Sequence, residues 1–439
     1  MVGRLTGVGR CCRQHLGLFF LALLSMISAI LPLAAQDMAR VRCTIGTLTA
    51  PAMHGRGYVQ HGDQRAAAFL TRQFQTLGLE PLAPHFTQYF PLDVNTFPGA
   101  LKLTAGTTSL RPGYDFIADP TSGSGTFEGP TTTFDTLVFS NEGAQQRLLQ
   151  QALQGRALVL RQQDEARLAT LPPALQQHLA QAAARVTLVP RKLTASLAPE
   201  QAAHPRLQVL ASTWPAGTTT VRLQVEAQLL RAYRSQNIVG MVRGTVQPDS
   251  FLVVTAHYDH LGQMGRTAYF PGANDNASGT AMLLELAAYY ARPEHRTAYS
   301  VVFIAFGGEE AGLLGSAYFT QHPLVPLPAI RFLLNLDLLG TGDEGLTVVN
   351  GRVFPAAFAQ LQQLNEAGHF VPAITARGKA ANSDHYYFTE QGVPAFFFYT
   401  RGGITAYHDV YDQAATLPLT AFTGVFHLLT SFLHYLDHP

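Results

Sequence analysis

The second half of the chain repeats one pattern: an apolar run, a polar loop, then apolar positions at helical spacing. Residues 251–256 form an uninterrupted apolar and β-branched run, the pattern of a strand buried on both faces of a parallel sheet. The runs 300–306, 330–336 and 394–399 read the same way. Met282, Leu283, Leu286, Tyr289 and Tyr290 recur as one face of a helix. Residues 419–436 predict a closing helix that turns Phe422, Phe426, Leu429, Phe432, Leu433 and Leu436 to a core. Strand, loop and helix in repetition predict an α/β fold with a mixed, largely parallel central sheet flanked by helices.

Upstream the pattern is looser. Residues 63–77 predict a helix through Ala67, Phe69, Leu70, Phe74 and Leu77, with Gly78 at its C-terminal cap, and 90–94 predicts a strand. From about 98 to 230 the composition shifts toward Gln, Thr and Ala. Short strands are expected there at 137–139, 157–160, 186–189, 206–210 and 221–225, with helices at 143–154 and 173–184. That stretch holds no cluster of His, Asp and Glu, so it reads as a structural or substrate-gating insert. The expected organisation is a signal peptide over 1–35, a first part of the main domain over 36–97, an inserted domain over 98–230 and the larger part of the main domain over 231–439.

With 439 residues, 47% hydrophobic and 13% charged, the chain can bury a large core. A formal net charge of +1 gives no case for a nucleic-acid partner. Arg4, Arg10 and Arg13 precede an apolar stretch over 16–33 that ends in Ala34 and Ala35, the layout of a secretory signal. The small residues favour removal after Ala35, although the stretch is long enough to serve as an uncleaved anchor. Removal makes the expected location secreted or periplasmic, with no membrane attachment afterwards. It also leaves Cys43 as the one cysteine of the three, which excludes an internal disulfide and a thiolate metal site.

The chemistry gathers where the apolar runs stop. His257, Asp259 and His260 follow the first run, Glu309 and Glu310 the second, Asp337 the third, and His408 the glycine loop after the fourth; Asp275 lies in the loop before the first helix. Singly, each has a structural explanation, but unrelated surface charges have no reason to fall repeatedly at the carboxyl ends of buried strands, where open α/β sheets place ligands. His257, His408, Asp275, Glu310 and Asp337, with no thiolate, suit catalytic zinc. Five ligands exceed what one such ion takes, whereas two ions sharing one carboxylate account for all of them and leave Glu309 as a general base. His54 and His61, alone in a glycine-rich loop, read as structural.

The stretches AHYDHLG from Ala256, GANDNASGT from Gly272, FGGEEAGLLGS from Phe306, NLDLLG from Asn335, SDHYYF from Ser383 and YHDVYD from Tyr407 resemble, in order and spacing, the co-catalytic zinc aminopeptidases. The wider clan includes glutamate carboxypeptidases, glutaminyl cyclase and the transferrin receptor. QGRALVLRQ and AARVTLVP look like a worn protease-associated domain within the insert. The resemblance implies the zinc exopeptidase fold, with Asp275 bridging two zinc ions, His257 and Asp337 completing one, and Glu310 and His408 the other. It implies Glu309 as the base for water activated on the metal, and Asp259 as the carboxylate behind His257. Asp384 and Asp412 match recurring positions with a supporting role, and Val410 stands where the family commonly has proline. Peptides with a free N-terminus are the implied substrates. A carboxypeptidase or dipeptidase of the same fold stays open, because Arg352, Arg377, Lys379 and Arg401 could serve a substrate carboxylate. Glutaminyl cyclase is disfavoured by GANDNASGT and by the lack of a tryptophan beside His408.

Overall fold

A computed structural model describes residues 36–438; the expected signal peptide at 1–35 lies outside the described residues. Residues 38–438 form one compact unit, and no helix among the described residues is long and apolar enough to cross a membrane.

The large sheet contains β1 (Glu80–Pro81), β2 (Thr87–Thr96), β3 (Gln228–Val242), β4 (Gln247–His257), β5 (Tyr299–Phe306), β6 (Ile330–Leu336), β7 (Gly345–Val349), β8 (Ile374–Ala376) and β9 (Ala395–Arg401). Its order is β1-β3-β5-β4-β6-β9-β7-β8, with β2 paired on β3. The central four, β5, β4, β6 and β9, run parallel, and their carboxyl ends open on one edge. Antiparallel partners at both flanks make the sheet mixed. The four apolar runs are these four central strands. Every residue of β5 is buried, as a strand covered on both faces requires.

Helix Gly279–Tyr290 is buried along nearly its whole length rather than on the one face its spacing suggests. It lies between the sheet and helices Met38–Leu48 and Phe422–Leu436, so its outer side also meets protein. The first of those helices is not evident from the sequence. Its apolar face is only Val41, Ile45 and Leu48 with Thr44, and Arg40 leaves it to pair with the buried Glu285 at 2.6 Å. Helix Gly62–Thr76 ends as expected, with Gly78 in the left-handed region that favours glycine.

Residues 101–225 build a second sheet of eight strands. Gly125–Thr133, Ala157–Arg161, Ala184–Val189 and Arg206–Leu210 run parallel within it. Both chain connections to this sheet pass through the β2–β3 pair, where Thr96 faces Gln228. The expected strand at 137–139 is instead a short helical turn, Thr136–Phe139, because the Asp135 side chain accepts from the Leu137 N–H and starts a turn. The apolar core of the second sheet continues into Leu261, Met264, Ala268, Phe270 and Val410, so it is packed against loops that leave the site.

Candidate metal centre

Parallel pairing sets the depth of each candidate ligand. His257, the last residue of β4, is level with Phe306 of β5, and Thr255 is level with Asn335 of β6. Glu309, Glu310 and Asp337 therefore emerge just beyond the sheet edge on either side of His257. A side-chain chain holds Asp337: Thr255 Oγ1 donates to Asn335 Oδ1 at 2.7 Å, Asn335 Nδ2 to Ser383 Oγ at 2.8 Å, and Ser383 Oγ to Asp337 Oδ2 at 3.2 Å.

All five expected ligands meet. Asp275 Oδ1 and Asp337 Oδ1 each lie 3.4 Å from His257 Nε2, while Asp275 Oδ2 and Glu310 Oε2 each lie 3.1 Å from His408 Nε2. Two donors at zinc distances and a tetrahedral angle stand ~3.3 Å apart, so each of these four pairs has the spacing of two ligands of one ion; His257, Asp275 and Glu310 also lie mutually close enough to share an ion. Asp275 turns one oxygen to each histidine. Asp337 Oδ1 is buried without a hydrogen-bond partner, a polar atom that a cation would satisfy. Glu309 Oε2 can also join His257 and Asp337 in a three-donor cluster, but at 4.0 Å from His257 Nε2 it stands farther back than the other carboxylates. The donor set fits two divalent ions.

The field of these carboxylates favours positive charge. Burial would lower the basicity of His408, but Glu310 and Asp275 raise its pKa to about 11. Burial likewise opposes, and Glu309 and Asp337 overcome, a shift that holds His257 well above its ordinary value. Burial pushes Glu309 well above the usual carboxylate range; His257 opposes this and Glu310 adds to it.

The supporting residues differ in part from expectation. His257 Nδ1 is nearer the Asp259 carbonyl, at 3.3 Å, than its carboxylate, at 3.8 Å. The Asp259 carboxylate also accepts from the Glu309 N–H at 3.2 Å and from the Tyr58 hydroxyl at 3.4 Å, linking His257 and Glu309 through one group. Asp412 accepts from the N–H groups of Asn274 and Asp275 at 2.8 and 3.0 Å and so orients the loop that carries Asp275. Asp384 is fully buried, and burial pushes its carboxyl up to about 7. His54 faces Gln263 and His61 stacks on Tyr233, and neither lines the cavity above the centre.

Two contributors are not evident from the sequence, and a third, His260, stands among the polar residues after the first apolar run without an assigned role. Arg56 is completely buried and donates to the carbonyls of Leu48, Tyr258, Pro271, Gly272 and Asp275. The glycines beside it are a readable signal: a Cβ on Gly55 or Gly57 would run into the backbone of Gly262. His260 places Nδ1 2.7 Å from Glu310 Oε1. The loop between strands Ala184–Val189 and Arg206–Leu210 supplies a backbone clamp: His408 Nδ1 lies 2.9 Å from the Ala195 carbonyl, and the Ala195 N–H donates to the His408 carbonyl at 2.9 Å. No side chain of 98–230 joins a metal-capable cluster among the described residues.

The centre floors a cavity of about 380 Å³ whose walls include Leu313, Leu338, Arg377, Phe397, Tyr399 and Tyr407. A larger cleft of about 730 Å³ lies along Arg191, Lys192 and Tyr411 and contains none of the five candidate ligands.

Residues 237–433 match the model of peptidase family M28. The chain is 39% identical over 116 residues to a probable zinc metalloprotease of Leptosphaeria maculans, covering 26% of each chain. It is 39% identical over 128 residues to the aminopeptidase YwaD of Bacillus subtilis, covering 28% of this chain and 26% of that one. The aligned part thus spans about a quarter of these curated relatives' length. The structure is similar to a zinc aminopeptidase from Bacillus subtilis, with a TM-score of 0.69 at 19% identity over 93% of this chain and 96% of that one. It is also similar to a peptidase M28 precursor from Shewanella amazonensis, with a TM-score of 0.65 at 14% identity over 92% and 95% of the two chains. These comparisons bear out the family resemblance and the mixed α/β fold.

Proposed function

We propose that this chain, which carries the peptidase family M28 pattern over residues 237–433, is an exported aminopeptidase with two zinc ions that removes N-terminal residues from peptides. The observation that carries this reading is the division of the centre by Asp275, one oxygen toward His257 and the other toward His408, with Glu309 set back beside them. His257, Asp275 and Asp337 would hold one ion, and Asp275, Glu310 and His408 the other. Such a pair supplies Lewis acidity for water and for the scissile carbonyl.

The chain's own groups do the rest. Glu309 takes a proton from the attacking water and returns it to the leaving amine. Asp259 fixes the main chain of Glu309 while facing His257 Nδ1, so base and ligand keep a constant relation. Asp412 and Arg56 hold the Asp275 loop from its amide and carbonyl sides. The name of the Bacillus subtilis relative, an aminopeptidase, favours attack at the N-terminal end. The relatives' names, zinc metalloprotease and aminopeptidase, agree with this chemistry, and the layout of residues 1–35 supports export.

The direct test is a peptide panel given to the zinc-loaded protein, with N-acetylated and C-amidated versions of each sequence. Acetylation should abolish cleavage and amidation should not. Cleavage of acetylated peptides from their free C-terminus would instead make the protein a carboxypeptidase.

A further inference from the structure

Of Arg352, Arg377, Lys379 and Arg401, the cations near enough in sequence to matter, only Arg377 lines the metal cavity. Lys379 is engaged by Glu390, and Arg401 Nη2 by the Glu344 carbonyl. Arg377 follows the edge strand β8, and its backbone is fixed on both sides: its N–H donates to the Val348 carbonyl at 2.8 Å, and its carbonyl accepts from the Arg352 N–H at 3.1 Å. Its Nη1 donates to the Tyr399 hydroxyl at 3.0 Å. Nε and Nη2 have no hydrogen-bond partner, and no carboxylate pairs with the guanidinium, among the described residues.

Tyr399 and Phe397 alternate on β9, so both rings turn to the same side of the sheet, 5.4 Å apart, and both line the cavity. Leu313 and Leu338 line it too. The charged residues of the lining are Asp275, Glu309, Glu310, Asp337 and Arg377. Two divalent ions would balance the four carboxylates, which leaves the solvent-exposed guanidinium of Arg377 as the remaining charge of the lining, at the end of an aromatic wall. A guanidinium anchored at one nitrogen and open at the others matches the fork geometry of a carboxylate.

We infer that Arg377 is a specificity-determining residue that receives a substrate carboxylate. The inference rests on the peptidase reading of this cavity and narrows its substrates. The carboxylate has two sources: the side chain of an acidic N-terminal residue, or the free C-terminus of a dipeptide.

The test compares Glu-Ala-NH2, which carries the first, Leu-Ala, which carries the second, and Leu-Ala-NH2, which carries neither. In the wild type, one carboxylate probe should exceed Leu-Ala-NH2 in kcat/KM, and the one that does identifies the source. Arg377→Gln should lower kcat/KM for that probe by about 10- to 100-fold, the range of a charge-assisted hydrogen bond, and leave Leu-Ala-NH2 within about twofold. Arg377→Lys should restore part of the preference, since it keeps the charge and loses the fork. An equal fall on all three probes, or no preference in the wild type, would overturn the inference.

Binding separates this from failure of the peptidase reading. In a Glu309→Gln background, calorimetry with the same three probes reads affinity without turnover. Adding Arg377→Gln should weaken only the carboxylate probe, with zinc content unchanged. If the wild type cleaves none of the probes but this selective weakening is seen, the activity is wrong and the carboxylate site stands. If binding of all three is insensitive to Arg377, the site is wrong whatever the activity.

Discussion

Arg56 offers the sharpest test of how the metal loop is held. Its five hydrogen bonds, from 2.7 to 3.2 Å, join the end of helix Met38–Leu48, the residue after His257 and three carbonyls of the loop that carries Asp275. Arg56→Met keeps much of the volume and removes every donor. Each buried acceptor left unpaired costs about 1–3 kcal/mol, which for five would exceed the whole stability of many domains. Two effects reduce that sum. The burial cost of the guanidinium, which is large enough to lower the pKa of Arg56, is recovered when the charge is deleted. Some carbonyls also keep another donor: Gly272 accepts from the Ala277 N–H at 3.2 Å. The expected net loss is about 3–5 kcal/mol, the range for breaking a buried charged network. Urea unfolding of the zinc-loaded protein should show it as a lower midpoint with an unchanged slope. Zinc retained after dialysis should fall as well, because the Asp275 carbonyl is one of the anchors. Arg56→Lys, with three donors for five acceptors, should lie between. A variant Arg56→Met within about 1 kcal/mol of wild type and with full zinc would show that the loop holds itself.

Glu309→Gln should keep both zinc ions and lose about 10²- to 10⁴-fold in kcat, because the amide cannot accept the proton. Glu310→Gln should instead lose zinc, and the reverse pattern, read by metal analysis beside turnover, would mean the two roles are exchanged. Asp259→Asn should lower metal affinity or activity by about 10- to 100-fold; no change in either would reduce Asp259 to a packing residue. Ala195→Pro removes the N–H that reaches the His408 carbonyl and disturbs the carbonyl facing His408 Nδ1. Zinc retention should fall by a similar factor, and unchanged retention would show that the loop around Ala195 merely rests against the site.

The four central strands and the residues at their ends are legible because a strand buried on both faces must be apolar throughout, so the first polar residues beyond it mark the sheet edge. His257, Glu309, Glu310 and Asp337 stand out in this way. Short apolar runs carry less information. Residues 137–139 suggest a strand, yet the Asp135 side chain captures the Leu137 N–H and makes a turn. Helix Met38–Leu48 is hidden because its apolar face is too sparse to show a period.

By itself, the sequence determined the parallel α/β core and the five candidate ligands, because these depend on periodicity and on side-chain type at strand ends. Only the tertiary structure decided what holds those ligands. Arg56 lies 219 positions from Asp275, and His408 lies 213 from Ala195, and in each pair a backbone carbonyl is the acceptor. Every residue has a carbonyl, so no residue type marks the one that will be used. The same holds for Arg377: sequence offered four cations of equal standing, and the pairing of β7 with β8 and β9 turned one of them into the cavity.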